Sequence, residues 1–217
     1  MSTTVNTDTE ARLSYVALLE PRAADDKQPD VLTFSASVLF RKEDTATIEA
    51  IKEAIKAALA EGKAKGVIKS TKDLRNPLRD GDEKEDKNGN PDQVYAGHMF
   101  LNAKGPKGGK EAPILFDKSF EVTEDAKIIY SGVYARVGLQ FYAYNTKGNV
   151  GIACGLTTVV SGEHGEPLDN TLTVDGARAA FGAPASASTK AKAEFEGTKS
   201  DDAEPDAEAD EDDIWGS

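Results

Sequence analysis

Hydrophobic and polar positions alternate along much of this chain. Residues Arg12 to Leu19 (RLSYVALL) form a short β-rich run that is expected to end at Glu20-Pro21. In VLTFSASVLFRK, Phe34, Ala36, Val38 and Phe40 alternate with Thr33, Ser35, Ser37 and Leu39, the period-two signature of a half-buried strand. The period then lengthens. Ile48, Ile51, Ile55 and Leu59 stand at helical spacing behind Asp44, a suitable N-cap, and Gly62 is the predicted stop. Glu49, Lys52, Glu53 and Lys56 occupy the opposite, solvated face. Residues 63–92 are dense in Gly, Pro, Asn and Asp and read as one long loop, a length that is often functional inside a compact domain. YAGHMFLNAKG and PILFD read as strands on either side of a GPKGGK turn.

The most regular segment is GVYARVGLQFYAYN. Val133, Ala135, Val137, Leu139, Phe141 and Ala143 fall on one face, with Tyr134, Arg136, Gln140, Tyr142 and Tyr144 on the other. The turn at Asn145-Thr146-Lys147-Gly148 returns the chain into NVGIACGLTTVVS, so the two runs form a β-hairpin. In the returning strand Gly151, Ala153 and Gly155 share one face, and Val150, Ile152, Cys154 and Leu156 share the other. Strands, one helix and more strands, without repeated βαβ alternation, point to a mainly β fold: an antiparallel barrel with one inserted α-helix.

Charge first argues against a nucleic-acid partner and then for one. The net charge is −12, but residues 201–213 carry nine carboxylates and no Lys or Arg. Without them the remaining chain has 26 basic against 29 acidic residues, and Lys52 to Arg79 is locally basic. A near-neutral body with a detached acidic arm is the reading; such charge blocks stay disordered and act as interaction tails. The expected boundaries are a disordered leader at 1–10, a folded domain at 11–182, a linker at 183–200 and an acidic tail at 201–217 ending in Ile214-Trp215. The start MSTTVNTDTEA lacks the features of a signal peptide, and no apolar run approaches membrane-spanning length, so a cytoplasmic location and no membrane partner are expected. Cys154 stands alone and reads as a small buried hydrophobe. His98 and His164 lie in no metal-ligand spacing, and Asp80, Asp82 and Glu85, which have the residue types of a divalent-ion site, read rather as an Asp/Gly-rich turn. Neither enzymatic activity, nor a cofactor, nor a metal is expected.

A row of Tyr134, Arg136, Tyr142 and Tyr144 facing solvent has the residue types that hold single-stranded nucleic acid. Aromatic rings stack on bases of any identity, and cations follow the phosphates. Lys104, Lys107, Lys110 and Lys147 in or beside turns could supply an electrostatic rim, with Lys69, Lys72, Arg75 and Arg79 in the long loop. Phe100 on the preceding strand completes the candidate DNA-contacting set. The alternative is that the tyrosines pack under a loop or the helix. In the tail, Asp212 and Asp213 with Ile214 and Trp215 imitate phosphates and a base, making the arm an intramolecular competitor for a DNA groove.

The strings RLSY, PLRDGDE, YAGHMFLNAKGPK, YSGVYARVGLQFYAYN, KGNVGIACGL and GEPL resemble a phage-encoded family of single-stranded-DNA-binding proteins, similar to the T7 type and long catalogued only as a domain of unknown function. The resemblance runs from about Arg12 to Phe181. It implies an OB-fold, binding without sequence preference, and an acidic tail ending in an aromatic that contacts replication proteins such as a polymerase, helicase or recombinase. A homo-oligomer is compatible with it. An inhibitor that imitates DNA through its acidic arm is the competing reading, but a mimic has no need of the Tyr/Arg strand face.

Overall fold

The computed structural model describes residues 2–23, 29–70, 74–86, 88–146 and 149–168. Its elements are β1 (Thr4–Asn6), β2 (Ala11–Ala23), β3 (Leu32–Arg41), α1 (Thr45–Ala64), β4 (Arg79–Asp80), β5 (His98–Lys104), a four-residue turn α2 (Pro106–Gly109), β6 (Ile114–Phe116), β7 (Tyr134–Thr146) and β8 (Asn149–Ser161). Five long strands close into a ring in the order β2-β3-β5-β8-β7 and back to β2. All neighbours are antiparallel except β5 and β8, which run parallel. Two closures are brief: β2 meets β7 at Ala11 and Arg12, and β5 meets β8 at Ala103 and Lys104. β1 continues the β2 side of β7, and β6 continues the β5 side of β8. The architecture is a mainly β, ring-like sheet with an inserted helix, as the alternation predicts, and of the OB type that the resemblance implies.

Packing follows from the two periods. Leu13, Val38, Phe40, Leu101, Val137, Leu139, Phe141 and Leu156 point into the ring and are buried. Ile48, Ile51, Ala54 and Ala58 of α1 join the same core, with α1 packing chiefly on β7. Each fully buried Leu, Ile or Phe side chain contributes about 1.5–3 kcal/mol of transfer free energy. The Asp44 carboxylate accepts from the Thr47 amide at 3.1 Å and caps α1 as expected. Its hydrogen bond from the Thr9 hydroxyl ties the N-terminal segment to the helix start.

The structure corrects the sequence reading at several points. The leader is not free: Thr4–Asn6 pair with Gly138–Gln140, the Phe141 amide donates to Thr3 O (2.8 Å), and the Thr7 amide donates to Val137 O (3.0 Å). Pairing of this kind uses backbone groups, so a polar segment with no hydrophobic period joins the sheet without a sequence signal. β2 does not stop at Glu20-Pro21 but continues to Ala23, with Pro21 inside a register irregularity where a missing amide is tolerated. Gly62 does not end α1, which runs on to Ala64; it sits against Ala143 of β7, whose Cβ a methyl at position 62 would strike. Part of the long loop is sheet, since β4 pairs with β5. Leu39, expected on the polar face of its strand, is buried in a second small cluster with Tyr95 and Phe100.

Candidate nucleic-acid interface

β7 and β8 carry the predicted row. Ladder partners share a face, so Gln140 lies beside Gly155, Tyr142 beside Ala153 and Tyr144 beside Gly151. The parallel pairing of Ala103 with Cys154 and Lys104 with Gly155 extends this face onto β5, and Asn102 and Lys104 pair in turn with Ser37 and Ser35 of β3. The outer face from β3 to β7 is therefore a sheet of small and polar residues. Tyr142, Gln140, Asn102 and Lys104 are exposed on it, Tyr142 at 39%. A methyl at Gly155 would stand 3.5 Å from Gln140 O and 3.8 Å from Tyr142 Cε1, ordinary contact distances, so the floor at this glycine is open. Cys154 points the other way into the core, and burial pushes its thiol up. Partial burial, then the neighbouring Cys154, raise the Tyr142 phenol, so the ring stays neutral at neutral pH.

The two ends of the row are not alike. Tyr134 pairs with Arg12, whose guanidinium lies 5.8 Å from the ring. Arg12 donates to Glu166 O at 3.0 Å, the Tyr134 amide donates to Glu163 O at 3.0 Å, and the Gly162 amide donates to Tyr134 O at 2.8 Å. Residues 162–166 thus run along this end and leave Tyr134 half-buried. Arg136 is also half-buried, with its guanidinium 5.2 Å from the ring of exposed Phe120. At the other end Arg75 reaches the same site from the distant long loop. It bridges Gly151 in parallel, its carbonyl accepting from the Ile152 amide at 3.0 Å. Gly151 is needed there, because a methyl would lie 2.8 Å from both Arg75 Cβ and Arg75 O and 3.0 Å from the Tyr144 hydroxyl. Tyr144 and Arg75, 69 positions apart in sequence, are brought together by this crossing.

Phe100 does not belong with the exposed rings. It is 3% exposed, with Tyr95 edge-on at 4.8 Å and the Arg79 guanidinium 4.4 Å from its ring centre. The loop between β4 and β5 folds over this part of β3 and β5 and removes Phe100 from solvent. Lys42 anchors that loop by bonds to Asp80 (2.6 Å) and Asp82 (2.5 Å). The Lys42 hydrogen bond, followed by backbone amides, holds both carboxyls below the usual range. The Asp/Gly turn is thus a clamp on a lysine. Lys84 pairs with Asp92 at 2.5 Å and stands 4.0 Å above the Tyr95 ring.

Of the predicted rim, Lys104 lies on the open face, while Lys107 pairs with Glu111 at 2.5 Å. Lys69 and Lys110 are exposed. Lys72, Lys147 and the tail residues Asp212, Asp213, Ile214 and Trp215 lie outside the described residues. Asn102 and Gln140, on the face but not among the predicted contacts, were legible as outward positions of alternating strands. Among the described residues, no helix is long and apolar enough to cross a membrane.

A family model described as "Enterobacter phage Enc34, ssDNA-binding protein" matches residues 3–204. No curated protein sequence matches the chain. Among solved structures, the fold is similar to the single-stranded DNA-binding protein from bacteriophage Enc34 in complex with ssDNA, with TM-score 0.62 and 20% identity over 77% of this chain and 90% of that one. It is likewise similar to the Enc34 protein in a further structure, at TM-score 0.59 and 20% identity over 82% and 90% of the respective chains. The bacteriophage T7 single-stranded DNA binding protein gp2.5 aligns at TM-score 0.47 and 15% identity over 78% and 97%. The match across nearly the whole length of the sequence shows that the chain belongs to the family of the Enterobacter phage Enc34 ssDNA-binding protein.

Proposed function

We propose that the protein binds single-stranded DNA without sequence preference and coats transient single strands during phage replication or recombination in the host cytoplasm. The observation that carries this reading is the open stretch of outer face on which Tyr142 and Gln140 flank Gly155 and Ala153, with Asn102 and Lys104 beside them. The ladder holds the Tyr142 backbone and the direction in which its side chain leaves the sheet, so only the side-chain torsions are ordered when a base stacks on it. Stacking of this kind is worth about 1–3 kcal/mol per base and ignores base identity. Lys104, Lys107, Lys147 and Arg75 supply cations to the phosphates, and Tyr144 extends the stacking surface beside Arg75. Tyr134 and Arg136 mark the far end of the track, where Phe120 adds a further exposed ring.

The acidic tail is the regulator in this reading. Its nine carboxylates and Trp215 belong to the same chain as the groove, so they compete weakly with DNA at high effective concentration. Once displaced by DNA, Asp212, Asp213, Ile214 and Trp215 become available to recruit replication proteins.

Titration of an oligo-dT at several salt concentrations tests the groove. The logarithmic slope is expected to be about −0.7 per phosphate contacted, and an affinity independent of salt would sink the reading. Removing residues 201–217 is expected to tighten binding most at low salt; unchanged affinity would reduce the tail to a docking or solubility element.

A further inference from the structure

We propose that Tyr15 is a second base-stacking residue, forming a nucleobase subsite at the β2 edge of the same outer face; this rests on the reading of the protein as a single-stranded-DNA binder. Tyr15 is 59% exposed and takes φ +49°, the left-handed region that side chains other than Gly, Asn and Asp seldom enter. It sits in a bulge of β2, between Ser14 paired with Ser37 and Ala17 paired with Ser35, where two residues of β2 face one of β3.

The flanking backbone is firmly held. The Leu13 amide donates to Val133 O at 2.9 Å, the Gly132 amide to Leu13 O at 2.7 Å, and the Val16 amide to the Ser131 hydroxyl at 3.0 Å. Leu13 and Val16 are buried on either side. The fold therefore forces position 15 into a conformation that suits glycine, and the chain places there a large aromatic whose ring is mostly in water. Neither conformation nor burial explains a tyrosine at this position, and an outlier of this kind points to use.

Its surroundings match the ligand. The Lys84 ammonium, paired with Asp92, stands 5.6 Å from the exposed Tyr15 ring and 4.0 Å from that of buried Tyr95, so one cation lies against both rings. Register places Tyr15 beside the row Ser14–Ser37–Asn102, and on β8 and β7 the same row continues through Ala153 to Tyr142. Tyr15 and Tyr142 thus stand near opposite ends of one line across the sheet, four strand spacings or about 19 Å apart along the surface. Ser14 and Ser37 on this row are buried, with Tyr95 against them, so a single strand leaving Tyr142 past Lys104 would pass over that cover and meet the Tyr15 ring with Lys84 beside it.

The test compares the full chain with Tyr15→Gly and Tyr15→Phe by oligo-dT titration at fixed salt and by thermal melting. The glycine variant is expected to lose roughly 5- to 150-fold in affinity while melting at or above the parent temperature, because the strained φ is relieved. The phenylalanine variant is expected to bind like the parent, since stacking needs the ring and not the hydroxyl. A glycine variant that binds as tightly as the parent overturns the subsite and leaves the single-strand reading standing. A glycine variant that melts well below the parent overturns it too, by showing that the ring is structural. A parent chain that does not bind the oligonucleotide overturns the single-strand reading itself, and the subsite with it.

Discussion

The outer face of the sheet has two halves built from the same strands and finished differently. In one half, Leu39 and Phe100 are covered by Tyr95, Arg79 and the loop clamped through Lys42 to Asp80 and Asp82. In the other half, Asn102, Lys104, Gly155 and Tyr142 lie on neighbouring strands with the floor left open. Phe100 and Asn102 are two positions apart on β5 and point the same way, yet one is core and the other surface. An aromatic on the outward side of a strand therefore says little about ligand binding until its cover is known. The covered half provides stability, and the open half is where a ligand can be met.

Substitution at Phe100 should separate the halves most sharply. Phe100→Ala is expected to destabilise the protein by about 3–5 kcal/mol in urea unfolding, as for a buried aromatic, and a loss under about 1 kcal/mol would mean that the covering loop opens readily. Tyr142→Ala should behave in the opposite way. Oligo-dT affinity should fall by about 1–3 kcal/mol with unfolding free energy nearly unchanged, and a stability loss like that of Phe100→Ala would merge the two halves.

The glycines of β8 offer a finer comparison. Gly151→Ala meets Arg75 and should cost about 1–3 kcal/mol of stability. Gly155→Ala should stay within about 0.5 kcal/mol, because its methyl finds ordinary contacts, and equal costs at the two sites would deny that the floor is open.

The smallest effect concerns pH. Asp80 and Asp82 have carboxyls held below their ordinary range by Lys42, so their contribution is present above the unfolded value of about 4 and is lost as pH falls through the lowered folded value. The Gly97 amide, which donates to Asp82 at 2.6 Å, should lose hydrogen-exchange protection in that acid range before the β5 amide of Leu101 does. Simultaneous loss would show that the clamp is not a local element.

Much of the frame was legible because helix and strand periods are set by local backbone geometry. The alternation in 133–144 determined which side of β7 enters the core, as buried Val137, Leu139 and Phe141 show, and Asp44 announced the helix it caps. Gly62 misled because glycine serves close packing as well as termination, and Thr4–Asn6 gave no signal because β1 joins through backbone hydrogen bonds. The sequence by itself thus determined the long strands in outline, the helix and the outward set of tyrosines on β7. Only the tertiary structure decided which of these stay uncovered: it buried Phe100, set Arg75 beside Tyr144, banked Tyr134 against residues 162–166 and turned Tyr15 outward at a bulge. Cover and juxtaposition arise from register and from loops crossing between distant segments, and no local periodicity encodes them.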